Sequence, residues 1–534
     1  MEIDCIPFKE TTYFSSTICD YLEEKDNLKP FYNRFPNLKN FKEQLKEKQE
    51  SFSTESRHIL HNAIVNQYDG VDSSAATKDN IMLFKDTNTF TVVTGHQLNL
   101  FTGPLYFLYK IISTINLTRQ LKEAYPDYNF VPIYWMATED HDFDEINYFN
   151  FKRKKVQWSK DASGAVGKLN TNGLEAIYDV FANQLGGSTN EKALKQLFKG
   201  AYLENNTLTE ATRYLANTLF KAYGLVIVDG DDKKLKEQLI PFIKNDILDN
   251  ASFNKVSETI SKLNKQPENY NIQVNPREIN YFYLSEGLRE RIIAKGDSFY
   301  VNNTDIEFSK EAIIEEIDKY PQRFSPNVIC RPFYQELILP NLCYIGGGGE
   351  LAYWLELKSF FKTTKVPFPI LLLRNSALVI SKKQKDKLSK LDINTSDLFL
   401  KQNSFINKKI RQISNIDIDF SAQKEELEKQ FEGLYKLAKQ TDASFLGAVK
   451  AQEKKQLRGL ATLEKRLLKA QKRKLKDHVV RITEIQNQLF PNKSLQERNQ
   501  NFSELYMVYG EALIPSLMKA LQPLSGKFTI LTMD

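Results

Sequence analysis

Two apolar runs of strand length, FTVV (Phe90–Val93) and FVPIYWMAT (Phe130–Thr138), bracket a helical segment that starts near Pro104 and continues to about Glu123. Runs that are apolar at nearly every residue fit strands covered on both faces, as in a parallel sheet. Parallel neighbours need a crossover, and the intervening helix supplies it, with Pro104 in its first turn and Lys110 one to two turns further on. The pattern returns in YGLVIVDGDD (Tyr223–Asp232) and in FPILLLRNSALVI (Phe368–Ile380), read here as another central strand. The expected class is α/β, a parallel-sheet core whose strands are separated by long insertions.

The spacing of these runs divides the chain of 534 residues. Core segments are expected over 1–149, 222–249 and 331–383, with insertions over 150–221 and 250–330. A helical coiled-coil arm is expected over 384–498, because from about Gln384 to Phe490 the composition turns to Lys, Glu, Gln and Leu with almost no Gly or Pro, until PNKSLQER (Pro491–Arg498) stops it. Ala461, Leu468, Leu475, Ile482 and Leu489 fall seven apart, which predicts a long helix with a coiled-coil seam, preceded by a partner helix around Lys424–Lys439. Such an arm invites a homodimer. Residues 499–534 return to the core through FTILTMD, read as a strand.

Composition removes several classes. No apolar run is long enough for a membrane helix, and MEIDCIPF carries acids where a signal peptide carries Lys or Arg, so a cytoplasmic protein without membrane contact is expected. Cys5, Cys19, Cys330 and Cys343 form no CxxC pair and are read as free buried thiols, and the histidines form no HExxH, so no metal is expected. The net charge of +6 conceals eleven Lys or Arg against two Glu between Lys450 and Lys476, a local +9 that leaves −3 elsewhere. A solvated helix face is the plainer reading of that run, because its cations are interleaved with Leu and Ala rather than with the surface aromatics that stack on bases; no nucleic-acid partner is expected.

Three stretches can carry chemistry. TGHQLNLFTGP (Thr94–Pro104) joins a buried strand to a helix, a junction that presents backbone N–H groups to an anion at the strand's carboxyl end. TEDHDFDEI (Thr138–Ile146) sets Glu139, Asp140, His141, Asp142, Asp144 and Glu145 after the next strand; metal ligation is an alternative, but neighbours on one loop cannot all converge on an ion, and capping is another. CYIGGGGELAYWLELK (Cys343–Lys358) has Gly346, Gly347, Gly348 and Gly349 before a helix opened by Glu350, so the backbone there can cradle a phosphate, a carboxylate or a sugar hydroxyl, although the spacing is neither GxGxxG nor a Walker loop.

TGHQLNLFTGPLYFLYK, FVPIYWMATEDHDFDEI, GGGGELAYWLELK and PNKSLQER (Pro491–Arg498), in that order, closely resemble the bacillithiol biosynthesis cysteine-adding enzyme family, over essentially the whole chain. The resemblance implies a Rossmann-like core akin to class I aminoacyl-tRNA synthetases, two inserted connecting segments and a coiled coil that pairs two subunits. It implies an amide-forming ligase joining L-cysteine to the amine of glucosaminyl-malate. A carboxylate resists an amine until one oxygen becomes a leaving group, so ATP, or a site for ATP or ADP, is implied as well.

Site roles follow from the same resemblance. Thr94, Gly95, His96 and Gln97 stand where synthetases carry their HIGH-type turn, with Gly103 and Lys110 beside them. His96 departs from the family pattern, where glutamine is expected, and an imidazole can change its charge near neutral pH. Glu139, Asp140, His141 and Asp142 are expected to hold the ammonium of cysteine, orient the glucosamine and include a base. Gly346 to Gly349 and Glu350 line the cleft, with Tyr353 and Trp354 either in its wall or in the core. Asp229 is a candidate for ribose or sugar hydroxyls, and Arg331 and Arg374 for clamping the malate carboxylates or for structural ion pairs. SKK (Ser381–Lys383) stands in for the basic loop of synthetases, and Gln496 and Arg498 face the nucleotide or anchor the arm. The competing readings are an inactive nucleotide-binding or regulatory protein and an RNA-binding protein that uses the basic arm.

Overall fold

The computed structural model describes residues 1–534. Its central sheet has five parallel strands, Thr89–His96, Asn129–Met136, Val226–Asp229, Asn341–Gly346 and Ile370–Leu373. Numbered in chain order, they lie side by side as 3-2-1-4-5. Register is fixed along the pair that matters most, with Gly95 opposite Trp135 and His96 opposite Met136. Strand order reverses between Thr89–His96 and Asn341–Gly346, which pair directly, Ile345 against Thr94. Open α/β sheets bind ligands outside the carboxyl ends of the two strands at that reversal. The TGHQ and GGGG segments are those two ends.

Helices cover both faces, as the all-apolar strands require. Tyr106–Ala124 is buried along most of its length, and Asn116 donates to the carbonyls of Met518 and Leu521 at 2.8 and 2.7 Å, which ties it to the helix Leu513–Ala520. On the opposite side Phe41 and Leu45 of the helix Leu38–Ser51 pack with Phe90, Val92, Leu342 and Ile370.

The first insertion opens with a hairpin, Tyr148–Phe151 paired with Lys154–Gln157, and continues in helices to Phe220. The second carries the helix Ala251–Leu263 and an antiparallel sheet built from Tyr281–Ser285, Leu288–Lys295, Ser298–Val301, Glu307–Ser309 and Phe324–Pro326.

Four expectations need correction. FPILLLRNSALVI is two strands in different sheets: Ile370–Leu373 is an edge strand of the central sheet, and Ala377–Ser381 joins a three-stranded sheet with Lys527–Met533 and Glu2–Pro7. The chain breaks at Arg374–Ser376 because Asn375 N donates to Ser113 Oγ at 3.0 Å and Ala377 N donates to Glu497 at 3.0 Å, remote groups that replace the ladder. A strand not expected from the sequence, Glu2–Pro7, precedes the TGHQ strand, and FTILTMD pairs with Glu2–Pro7 rather than with the central sheet. The arm is not one continuous seam: Ala443–Lys474 and Lys476–Leu489 are separate helices that break at Leu475, and Leu468, Ile482 and Leu489 bury against their own chain. Finally, all four cysteines are free, but only Cys330 and Cys343 are buried.

The arm's own hairpin is Ser421–Ala438 packed on Ala443–Lys474. Its tip has a small separate core of Phe431, Ala438 and Val449. Phe445, Leu463, Leu434 and Leu437 remain exposed along it.

Candidate active site

The turn after the TGHQ strand is held in an unusual backbone state. Phe101, Thr102 and Gly103 have φ of 48, 67 and 62° in succession. Left-handed non-glycine residues cost free energy and persist only where the surroundings over-determine them. Here Tyr202 Oη accepts from Phe101 N at 2.7 Å, and Asn501, fully buried, donates to the carbonyls of Phe101 and Gly103 at 2.8 and 2.7 Å. Gly103 itself cannot be replaced cheaply, because a Cβ there would stand 2.7 Å from Asn99 Cβ. Gly95 is different: it lies inside the strand, and its carbonyl accepts from Lys110 Nζ at 2.7 Å. Gly95, expected in a turn, is therefore a strand residue, and the turn lies further on, at Phe101–Gly103.

Two contiguous cavities open at the switch point, of about 510 and 610 Å³, and they share Gln97, Tyr106 and Glu350 as a common wall. The wall is anchored by a buried pair: Lys110 Nζ lies 2.6 Å from Glu350 Oε1, and Glu350 also accepts from Tyr344 Oη at 2.6 Å and Gly347 N at 3.1 Å. Burial pushes the Glu350 carboxyl up, but Lys110 and these donors win and hold it below the usual range.

The smaller cavity has Gly347, Gly348 and Gly349 on one side and Asn99, Tyr106, Arg374 and Arg498 on others. Arg374 stacks over Tyr106, its carbon 4.8 Å from the ring centre, and donates to the fully buried Glu497 at 2.8 Å. Its charge is thus spent inside the protein, which removes it as a malate clamp. Arg498 has no ion-pair partner in the chain, and Asn99 Oδ1 is buried with no donor. Glycine backbone, a free guanidinium, an aromatic face and an unmet acceptor fit a phosphorylated, hydrogen-bonding ligand such as a nucleotide.

The larger cavity is lined by Trp135, Met136, Thr138, Glu139, Asp140 and His141 on one flank. Asp140 Oδ2 accepts from Gln97 Nε2 at 2.9 Å and Oδ1 from the His141 backbone at 2.7 Å. Burial opposes its charge, yet the hydrogen bonds from Gln97 Nε2 and the His141 backbone N–H, with the nearby Arg289, hold the carboxyl below its ordinary value. These donors favour Asp140 as the anion. Glu139 is committed elsewhere: it pairs with the fully buried Lys236, whose Nζ also reaches Asp231 Oδ1 at 3.1 Å, and burial pushes Glu139 up. On the facing flank Arg331 donates to Gln335 Oε1 at 3.0 Å and Tyr353 Oη at 3.4 Å, a cation surrounded by neutral partners and open to the cavity.

His96 lines the larger cavity but is not a pH-sensitive group. Burial first, then the charges of Lys110 and Arg374, push its imidazole well down, so it stays neutral at physiological pH, against the sequence expectation. Its Nε2 is buried without a partner.

Several expected site residues serve the fold. Thr94 Oγ1 donates to the Ile345 carbonyl at 2.7 Å across the sheet, Asp142 caps the short helix Phe143–Ile146, and Gly346 ends a strand. Asp229 accepts from Thr138 Oγ1 and the Asp231 backbone, at the foot of the larger cavity but outside its lining. Trp354 is core, against Tyr344 and Phe361, while Tyr353 is cavity wall. Gln496 bridges both backbone groups of Val379, away from the two cavities, and Ser381 caps the helix Lys382–Lys390, so SKK forms no loop over the site. Motif reading missed Arg289, Arg277 and Lys236. Tyr106 and Asn99 were recoverable, since they flank the glycine turn already singled out.

The sheet order, the two insertions and the cavities at the reversal define a doubly wound, Rossmann-like ligand-binding protein with a helical arm. The family model described as "Bacillithiol biosynthesis BshC, N-terminal Rossmann-like domain" matches residues 1–375, and that described as "Bacillithiol biosynthesis BshC, C-terminal coiled-coil domain" matches residues 377–533. The boundary between them falls at the Arg374–Ser376 break. The chain is 57% identical over 536 residues to a protein of Christiangramia forsetii, covering 100% of this chain and 99% of that one, and 55% identical over 532 residues to one of Flavobacterium johnsoniae, covering 100% of both. Both relatives carry the name "Putative cysteine ligase BshC". A Campylobacter jejuni chain of solved structure, described as "putative arginyl t-RNA synthetase", aligns over 84% of this chain and 98% of its own at 10% identity and a TM-score of 0.22. This chain belongs to the bacillithiol biosynthesis BshC family.

Proposed function

We propose that the chain is the amide-forming ligase of bacillithiol biosynthesis, joining the carboxyl of L-cysteine to the glucosamine amine of glucosaminyl-malate in the cytoplasm. The observation that carries this reading is the pair of cavities that share one wall, one suited to a phosphorylated ligand and the other holding the hydrogen-bonded carboxylate of Asp140 and the unpaired guanidinium of Arg331. In the larger cavity Asp140 binds a substrate ammonium and Arg331 a carboxylate, the opposite charges that an amino acid and an aminosugar acid bring. In the smaller cavity Gly347, Gly348, Gly349, Asn99, Tyr106 and Arg498 hold a nucleotide. A nucleoside triphosphate bound there would supply the leaving group that a carboxylate lacks. Gln97 and Glu350, on the shared wall, set how closely the two ligands approach, which is where orientation gives rate. Two copies pair through the exposed arm residues Phe445, Leu463, Leu434 and Leu437.

The test is a pair of variants. Asp140→Asn is expected to lower kcat/KM by roughly 100-fold, since it removes the charged partner of a buried ammonium. Arg498→Ala is expected to raise KM for the nucleotide and leave KM for the amine unchanged. If Arg498→Ala instead weakens the amine, or Asp140→Asn keeps full activity with a normal near-UV spectrum, the assignment of the chambers is wrong.

A further inference from the structure

Arg289 lies on the strand Leu288–Lys295 of the inserted sheet, 148 residues from His141 in sequence, and its guanidinium reaches the substrate cavity. Its position is fixed from three directions. The guanidinium carbon sits 3.9 Å from the centre of the Phe282 ring, Nε donates to Ser325 Oγ at 3.3 Å, and Nη1 stands 2.6 Å from Nδ1 of His141. The imidazole packs on the same Phe282, with ring centres 5.4 Å apart.

A guanidinium has donors only and keeps its charge across the accessible pH range. A ring nitrogen at 2.6 Å from it must therefore offer a lone pair, because a proton on Nδ1 would point one N–H at another. The competing partner for Nδ1 is Asp140 Oδ1, and it is 3.6 Å away, outside hydrogen-bond range. The other charges at this place are Glu139, held by Lys236, and Arg277, which lines the same cavity.

We infer that Arg289 is a positioning residue that fixes His141 as the neutral imidazole with Nδ1 unprotonated and its proton on Nε2. His141 then presents a hydrogen-bond donor to the cavity it lines, suited to an oxygen of the substrate such as a hydroxyl or carbonyl, and does not take the proton of the incoming amine through Nδ1. The inserted sheet thereby sets the protonation pattern of a residue on the core. The donor role rests on the functional reading given above; the tautomer does not.

The experiment is NMR of protein labelled with 15N histidine, in which the five histidines give few signals and His141→Gln identifies the one in question. Wild-type protein at pH 8 is expected to show the Nε2–H tautomer for His141. In Arg289→Ala the Asp140 carboxylate becomes the better partner for Nδ1, and the ratio of Nδ1–H to Nε2–H is expected to rise about tenfold or more, as for loss of a hydrogen bond to a charged group. Arg289→Lys, which keeps a cationic donor, is expected to retain the wild-type form. An Nδ1–H or doubly protonated His141 in the wild type, an unchanged ratio in Arg289→Ala, or a flip in Arg289→Lys each overturns the inference. Should Arg289→Ala fail to fold, the wild-type tautomer and Arg289→Lys decide it. Absence of ligase activity alongside the expected tautomers would count against the functional reading and leave this placement standing.

Discussion

Lys110 and Glu350 join the TGHQ strand to the glycine loop, and a double-mutant cycle measures that link. Lys110 is 4% exposed and Glu350 26%, with 2.6 Å between Nζ and Oε1. Removing one member of a buried pair leaves the other charge uncompensated, at about 3–5 kcal/mol for a fully enclosed pair. Glu350 keeps Tyr344 Oη and Gly347 N as donors, so Lys110→Met is expected near the low end, about 3 kcal/mol. Glu350→Gln leaves a more deeply buried ammonium with neutral acceptors alone, the amide oxygen and the Gly95 carbonyl, and a similar loss is expected. The double variant removes both charges, so its cost is expected to fall short of the sum by about 2 kcal/mol, the range for residues in direct contact. Urea unfolding followed by tryptophan fluorescence reads this well, because Trp135, Trp158 and Trp354 are all buried. Additive losses would refute the view that the pair couples the two loops.

Gly103→Ala places a Cβ at positive φ against Asn99, so it is expected to cost about 1–3 kcal/mol in unfolding and to weaken nucleotide binding by calorimetry, whereas a silent substitution would show that the turn is not constrained. Glu356 is fully buried, and burial pushes its carboxyl up to about 7 although it accepts from Gln273 N and Val274 N. An acid with a raised folded value contributes stability that is present below its unfolded pKa and lost as pH rises through 7, so the native state should lose up to about 3 kcal/mol between pH 4.5 and 7 through this group, and Glu356→Gln should flatten that slope; parallel pH curves for the two proteins would contradict it. In the arm, Leu468→Lys is expected to destabilise the monomer itself, while Phe445→Glu with Leu463→Glu is expected to turn dimers into folded monomers by light scattering; a wild-type monomer at micromolar concentration would refute pairing.

The parts of this fold that were legible in sequence are those governed by local pattern. Phe90–Val93 and Phe130–Thr138 announce buried parallel strands because every residue must be apolar there, and two charged or glycine-rich segments directly after strands mark the carboxyl-end crevice. Glu2–Pro7 was invisible for the same reason, since all but Ile6 of its residues are exposed and no alternation survives. The seven-residue period in the arm reported that a partner exists without saying whose: for Leu468, Ile482 and Leu489 it is the chain's own core. Long-range hydrogen bonds left no local trace. Glu497 breaks the strand at Arg374–Ser376 and cancels the charge of Arg374, and Arg289 reaches His141 from a different sheet. The roles of Asp140 and Glu139, adjacent in sequence, diverge because one meets Gln97 and the other a buried lysine.

The most direct test of the central claim is to mix purified protein, L-cysteine and glucosaminyl-malate with and without ATP and follow the amide product by mass spectrometry. The account predicts an amide that carries both substrates, formed with the nucleotide present and lost in Asp140→Asn. Nucleotide that binds the folded protein tightly while no amide forms, with both substrates supplied, would contradict it.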